Sequence, residues 1–233
     1  MVKLYHRCGE VKHFEMISPH PSWHVCFVWL MDNGVMASLP SPRITEEEYL
    51  RLDRAAEARS EFVDGEIFAM SGGSFPHSIL AVKWMGELLS KLRGRNCVVF
   101  NSDARVRTPG SGSYVYPDIS VVCGKPQSHR ASDDILTNPV VVIEVLSPST
   151  EDYDRGKKFA LYREIASLQD YLLVHSDEVY VESFTRQPEG WLLREYRGAE
   201  AAVPIASIDC AVLLGDVYAG VIDAEPAASD TSS

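Results

Sequence analysis

No apolar run in this chain approaches the ~20 residues that a membrane-crossing helix needs. The nearest is "VCFVWLM" at residues 25–31, and the turn signal "DNG" closes it at once, so neither a membrane span nor a secretory leader is expected. There is no C-x-x-C pair. The five cysteines (Cys8, Cys26, Cys97, Cys123 and Cys210) are odd in number and scattered, which predicts neither a zinc site nor a disulfide framework and suits a reducing cytoplasm. No G-x-S-x-G elbow and no H-E-x-x-H pair occur, and no G-K-[ST] follows Gly72–Gly73, so serine-hydrolase, zinc-protease and phosphate-loop chemistry find no support. A basic patch is missing too. The formal charge is −11, and residues 39–208 hold 25 acids against 19 bases, so a nucleic-acid partner has to be argued from a site rather than from charge.

What is present suits one sizeable globular core. The 233 residues are 45% hydrophobic and 24% charged, ordinary values for a folded domain. Residues 1–35 stand apart. They carry four of the seven histidines and two of the four tryptophans with no sustained hydrophobic period, so they read as an atypical extension with Met36 as the native start. The domain is then expected over 36–223, with "AEPAASDTSS" (224–233) as a disordered tail.

Within that span helices and strands alternate. Thr45 followed by Glu48 is a capping box for a helix over 45–56. "SEFVDGEIFAM" (60–70) predicts two short strands around an Asp-Gly turn. Residues 77–95 predict an amphipathic helix, with Pro76 in its first turn and Gly94 as its stop. Strands are expected at 96–108, 114–124, 140–146, 169–176, 178–187 and 191–198, with a loop over 125–139 and a helix over about 153–166. The order predicts an α/β fold: a mixed β-sheet flanked by helices.

Two acids stand out. Glu144 sits inside "VVVIEVL", where a carboxylate is costly unless it is paired, hydrogen-bonded or bound to a metal. Strand alternation puts Val140, Val142 and Leu146 on its face. Asp118 follows Pro117 at the entry of another strand; Pro-Asp is also a common turn, so alone it says little. On neighbouring strands the two could converge on a hard cation. The cation to accompany them is absent at Leu146. It is available on the next helix, where Lys158 shares a stripe with Leu161, Tyr162 and Ile165, while Lys157 tends toward solvent and Glu164. Lys158 either snorkels from that stripe or reaches Glu144. Two acids and a lysine around one divalent ion make a phosphodiester-hydrolysis site.

These residues resemble the Uma-two family of restriction-endonuclease-like proteins within the PD-(D/E)XK nuclease superfamily. The resemblance covers about residues 43–220 and lies in the order and spacing of "EFVDGEIFAMSGGSFPHSIL", "YPDISVV", "VVVIEVLSPSTEDYDRGKKFALYREI" and "DYLLV". It implies a restriction-endonuclease-like fold and a cytoplasmic enzyme that hydrolyses DNA phosphodiester bonds with Mg²⁺ or Mn²⁺. Asp118 and Glu144 would be metal ligands with the backbone carbonyl of Val145, and Lys158 would complete the catalytic set. Leu146 stands where the superfamily has lysine. Tyr162 matches a tyrosine of the same helix. Glu61, Asp64, Gly65 and Glu66 match an E-x-x-D-G-E stretch, in which Glu61 or Glu66 would border the site. His77 matches a histidine that is either structural or a proton carrier at the site's edge. Relatives in the superfamily often dimerise, although no homodimer surface is marked in the sequence. The alternative is a non-catalytic nuclease-fold module for binding or interaction.

Overall fold

The computed structural model describes residues 43–222 apart from Ser71, Ala131, Asp133 and Ser149. The expected extension, the start at Met36 and the tail lie outside the described residues. The chain begins with α1 (Glu46–Ala55), capped by the Thr45 hydroxyl, which accepts from the Glu48 N–H. β1 (Ser60–Val63) and β2 (Glu66–Ala69) form the expected hairpin; Asp64 and Gly65 both adopt positive φ, as a tight two-residue turn demands. α2 (Phe75–Lys91) follows, with Ser74 as its cap and Pro76 in its first turn.

Next come β3 (Cys97–Asn101), β4 (Arg105–Arg107), β5 (Tyr114–Val115), β6 (Ile119–Cys123), β7 (Ile135–Leu136) and β8 (Val141–Leu146). A short α3 (Glu151–Tyr153) runs through a π-helical segment, Asp154–Lys158, into α4 (Phe159–Tyr162). β9 (Asp170–His175), β10 (Tyr180–Gln187) and β11 (Gly190–Arg197) lead to β12 (Ala202–Ile205), β13 (Cys210–Leu213) and α5 (Leu214–Tyr218).

The strands make a six-stranded sheet of order β11-β10-β9-β8-β6-β3, a five-stranded sheet of order β2-β1-β5-β4-β7, and the β12-β13 pair. In the six-stranded sheet β8 and β9 run parallel and the other neighbours antiparallel, so the expected mixed sheet is present. Strand alternation gives it two apolar faces. Ile143 and Val145 pack with Leu80, Trp84 and Leu88 of α2 and with α5. Val142 and Leu146 point the other way, onto Phe159, Leu161 and Tyr162 of α4 and residues of the five-stranded sheet. Glu144 shares that second face.

Several local features differ from expectation for physical reasons. The stretch 96–108 is two strands, β3 in the six-stranded sheet and β4 in the five-stranded one, because a turn closed by the Ala104 N–H on the Asn101 carbonyl breaks it, and β7 lies within the expected loop over 125–139. The stretch 114–124 is two strands, not one: Pro117 lacks the N–H a ladder needs, and the chain there passes from the five-stranded to the six-stranded sheet. Cys97 and Cys123 form a disulfide, although the cysteine pattern suggested no disulfide framework. They are register partners across the antiparallel β3–β6 pair, with Cα atoms 3.9 Å apart, and a sequence separation of 26 conceals this. The helix expected over 153–166 spans 151–162, and the Phe159 N–H reaches back five residues to the Asp154 carbonyl. Because α4 ends at Tyr162, Lys157 pairs with Asp64 instead of Glu164, and Glu164 accepts from the Gly110 and Ser111 N–H groups.

Candidate active site

Glu144 and Asp118 are adjacent because of register. β6 and β8 pair Ile119 with Ile143, so the next residues outward, Asp118 and Glu144, meet at the end of the ladder. The Asp118 N–H donates to Glu144 Oε2 at 3.3 Å, and the Val145 N–H donates to Asp118 Oδ2 at 2.8 Å. Each acid is thus oriented by the backbone beside the other.

Lys158 arrives from the π segment. Its Nζ lies 2.9 Å from Glu144 Oε1, 3.4 Å from Glu61 Oε1 and 3.5 Å from Asp154 Oδ1, and it donates to the Tyr116 carbonyl at 3.1 Å. Lys158, Glu144, Glu61 and Asp154 are all buried. Tyr162 donates its hydroxyl to Glu144 Oε1 at 2.8 Å, and Tyr153 donates to Glu61 Oε2 at 2.9 Å. Glu61 also accepts from the Tyr116 N–H at 2.9 Å. His77 Nε2 lies 3.1 Å from Asp118 Oδ2, so a proton there donates to the carboxylate.

This arrangement is rich in negative charge. Burial alone would lower the Lys158 ammonium, but Glu144, Glu61 and Asp154 outweigh it and hold it well above its ordinary range. Burial pushes the Glu144 carboxyl well above the usual carboxylate range, against the opposing pull of Lys158. Asp154 is raised by burial in the same way. The hydrogen bond to Asp118 raises His77 despite its partial burial.

The cluster opens onto a cavity of about 420 Å³, bounded by the end of β2, the Gly72–Gly73 turn and the head of α2. Asp118, Glu144, Val145, Lys158, Glu61 and His77 all line it. Tyr162 does not line it but supports Glu144 from behind. Glu66 is not brought in; it opens the exposed strand β2 and pairs in register with Val63. Asp64 and Gly65 make the turn. The sequence reading missed Asp154, Tyr153 and the Tyr116 carbonyl. Asp154 had a usable signal, since it precedes Lys158 by one helical turn.

The donor set suits a hard cation. Asp118 Oδ1 accepts no hydrogen bond from the described residues, and three carboxylates share the Lys158 ammonium. Among the described residues no group of three His, Cys, Asp or Glu side chains is spaced to cage an ion by itself. Two carboxylates are enough for an ion that keeps waters and takes substrate oxygens.

Residues 46–211 match the family model Uma2, described as "Putative restriction endonuclease". The "Uncharacterized protein slr1290" of Synechocystis sp. (strain ATCC 27184 / PCC 6803 / Kazusa) is 38% identical over 185 residues, spanning 79% of this chain and 96% of the relative. A second protein of that organism, "Uncharacterized protein sll1609", is 35% identical over 161 residues, spanning 69% of this chain and 91% of the relative. The fold is similar to the crystal structure of "a putative nuclease belonging to DUF820" from Anabaena variabilis ATCC 29413, with a TM-score of 0.63 over 75% of this chain and 97% of that one. At 22% identity this last likeness bears on the fold alone. The match of the family model over residues 46–211 places the chain in the Uma2 family of restriction-endonuclease-like proteins.

Proposed function

We propose that this chain is a divalent-metal-dependent nuclease that hydrolyses DNA phosphodiester bonds at the Asp118–Glu144–Lys158 cluster. The observation that carries this reading is the meeting of Asp118 and Glu144 at one ladder end, with Lys158 held 2.9 Å from Glu144 and all three lining one cavity. The description of the family supports it.

Asp118 and Glu144, with the Val145 carbonyl, would hold Mg²⁺ or Mn²⁺, which polarises a phosphoryl oxygen and acidifies a water. The remaining work falls to the chain. Lys158, fixed by three carboxylates and a carbonyl, presents a permanent positive charge in a water-poor place. There it stabilises the negative charge that grows on the phosphoryl oxygens as water adds and the ester oxygen leaves. Tyr162 and the Asp118 N–H set the plane of the Glu144 carboxylate. His77 and the Val145 N–H both engage Asp118 Oδ2, which leaves Oδ1, with no hydrogen bond from the described residues, as the oxygen that would hold the ion.

The test uses the full chain with supercoiled plasmid and single-stranded circular DNA, with Mg²⁺ or Mn²⁺ and with chelator. Cleavage is expected only with metal, and Asp118→Asn, Glu144→Gln and Lys158→Met should each slow it by roughly 100-fold or more. Thermal melts of each variant separate lost chemistry from lost folding. Unchanged cleavage by a folded Glu144→Gln protein would remove the proposal.

A further inference from the structure

We infer that the strand entering this site is single: an unpaired nucleotide reaches the buried cluster with its base stacked on Phe68 of β2. The inference rests on the nuclease reading and adds the class of substrate.

Depth is the first argument. Glu144, Asp154 and Lys158 expose 2%, 4% and 6% of their surface at the back of the cavity. Its volume of about 420 Å³ falls in the range of roughly 300–1,000 Å³ that encloses one drug-sized group. A phosphate flanked by paired, stacked nucleotides cannot easily approach groups so little exposed. A nucleotide freed from pairing can, as in enzymes that extrude a base to reach their target.

Charge is the second. Duplex binding rests on many lysine and arginine contacts to phosphate. The cations lining this cavity are Lys157 and Lys158. Lys158 is enclosed by acids, and Lys157, at the mouth, already lies 3.4 Å from Asp64. Among the described residues that line the cavity there is no third lysine or arginine.

The third is what stands at the mouth instead. Phe68, Ala69 and Met70, at the end of β2, line the cavity, and Phe68 and Met70 are 39% and 37% exposed. Phe75, 87% exposed, sits between the cavity-lining Gly73 and His77. Lys157 Nζ is 5.5 Å from the Phe68 ring centroid, which sets one cation beside one aromatic face. An aromatic platform with a neighbouring cation, leading to a recessed acid cluster, is the equipment of sequence-tolerant single-strand binding.

The experiment uses the full chain with Ca²⁺ in place of Mg²⁺. Fluorescence anisotropy follows a labelled 12-nucleotide DNA, the matching RNA and the blunt DNA duplex through a salt series. Single strands are expected to bind at least about tenfold tighter than the duplex. Phe68→Ala should weaken single-strand binding roughly 5- to 150-fold, the loss of one stacked base, with Phe68→Trp restoring it and both melting like the wild type. The DNA and RNA arms tell which single strand is preferred. Duplex binding as tight as single-strand binding overturns the inference, as does unchanged single-strand binding in Phe68→Ala. Parallel Mg²⁺ reactions keep the two proposals apart. Equal cleavage of duplex and single strand sinks this inference and leaves the nuclease standing. Tight single-strand binding that needs Phe68, with no cleavage under any metal, supports this inference and sinks the nuclease.

Discussion

Two carboxylate clusters in this fold are balanced differently. One lies where α1 docks on the five-stranded sheet. Its acids are Glu46, Glu47, Asp53 and Asp134, and three arginines meet them. Arg105, buried, places one nitrogen 2.6 Å from Asp53 and another 2.6 Å from Asp134. Arg107 grips Glu46 with two nitrogens at 3.2 Å, and Tyr114 and His129 add contacts to the same carboxylate. Arg130 reaches Glu47 at 2.8 Å. Beneath them Tyr49, Phe62 and Tyr114 form a small aromatic core. The other cluster, at the cavity, holds Glu61, Glu144 and Asp154 around the ammonium of Lys158, with Asp118 beside Glu144 and paired with His77. Near neutrality suits a network that holds elements together. Three buried carboxylates around one ammonium carry a desolvation cost, and such a cost is typical of sites kept for chemistry.

The contrast breaks most sharply when one acid is neutralised in each cluster. Asp53→Asn takes from buried Arg105 its buried partner and should cost about 3 kcal/mol. Asp154→Asn removes a carboxylate that burial already pushes toward its neutral form, while Lys158 keeps Glu144 and Glu61. Its cost should stay within about 1 kcal/mol, of either sign, when metal is chelated. Urea unfolding of both variants in chelator is the measurement. Equal, large losses would mean that the cavity cluster is a structural network like the other.

Acid should act on the two clusters with opposite sign. Burial works against Glu46, yet the Arg107 fork, the Tyr114 hydroxyl and Arg130 together lower it to about 2 from an ordinary value of 4.5. A lowered carboxylate contributes stability that is full above pH 4.5 and lost as pH falls toward 2. Wild type should therefore exceed Glu46→Gln in urea midpoint at pH 6, with the gap shrinking below pH 4.5 and closing near pH 2. Asp154 is raised, so wild type gains stability relative to Asp154→Asn as pH falls, the reverse of the Glu46 pair. Midpoints of the two pairs of proteins from pH 7 to 2 should move in opposite senses. A constant gap for Glu46→Gln would show that its ion pairs add nothing to folding.

How much of this was legible depended on whether the rule involved was local. Glu144 and Lys158 were found by strand alternation and helical neighbours, which act over a few residues, and Asp118 by its place at a strand entry. The π segment was not legible, because no residue pattern separates a five-residue back-bond from a four-residue one, although it brings Asp154 and Lys158 inward together. The Cys97–Cys123 bond depended on long-range register, and so did the meeting of Asp118 with Glu144; the second was anticipated only because both residues carry charge where charge is expensive. β12, β13 and α5 were missed outright. "AAVPIASIDCAVLL" offers two four-residue strands with little alternation, and these gain their stability by covering α2. Tyr116 enters the site through its backbone, which no side-chain pattern reports.

The smallest effect belongs to the pair at the cavity mouth, Lys157 and Asp64, which resembles neither cluster. Both side chains are about half exposed, and 3.4 Å separates them. Water screens such a pair, so its contribution to folding should be under about 0.5 kcal/mol. Asp64 has φ of 54°, a left-handed conformation that asparagine also tolerates, so Asp64→Asn leaves the hairpin turn intact and isolates the charge. Its melting temperature should match the wild type. Its binding should not. Freed from its acid, Lys157 can meet a phosphate beside Phe68, so single-strand affinity should rise about two- to threefold and the salt dependence should steepen by close to one phosphate contact. Anisotropy titrations of wild type and Asp64→Asn at three salt concentrations read both quantities. A change in melting without a change in salt slope would place Asp64 with the structural acids of the α1 network, whereas a change in slope without a change in melting makes Lys157 the one cation of the mouth that a nucleic acid can use.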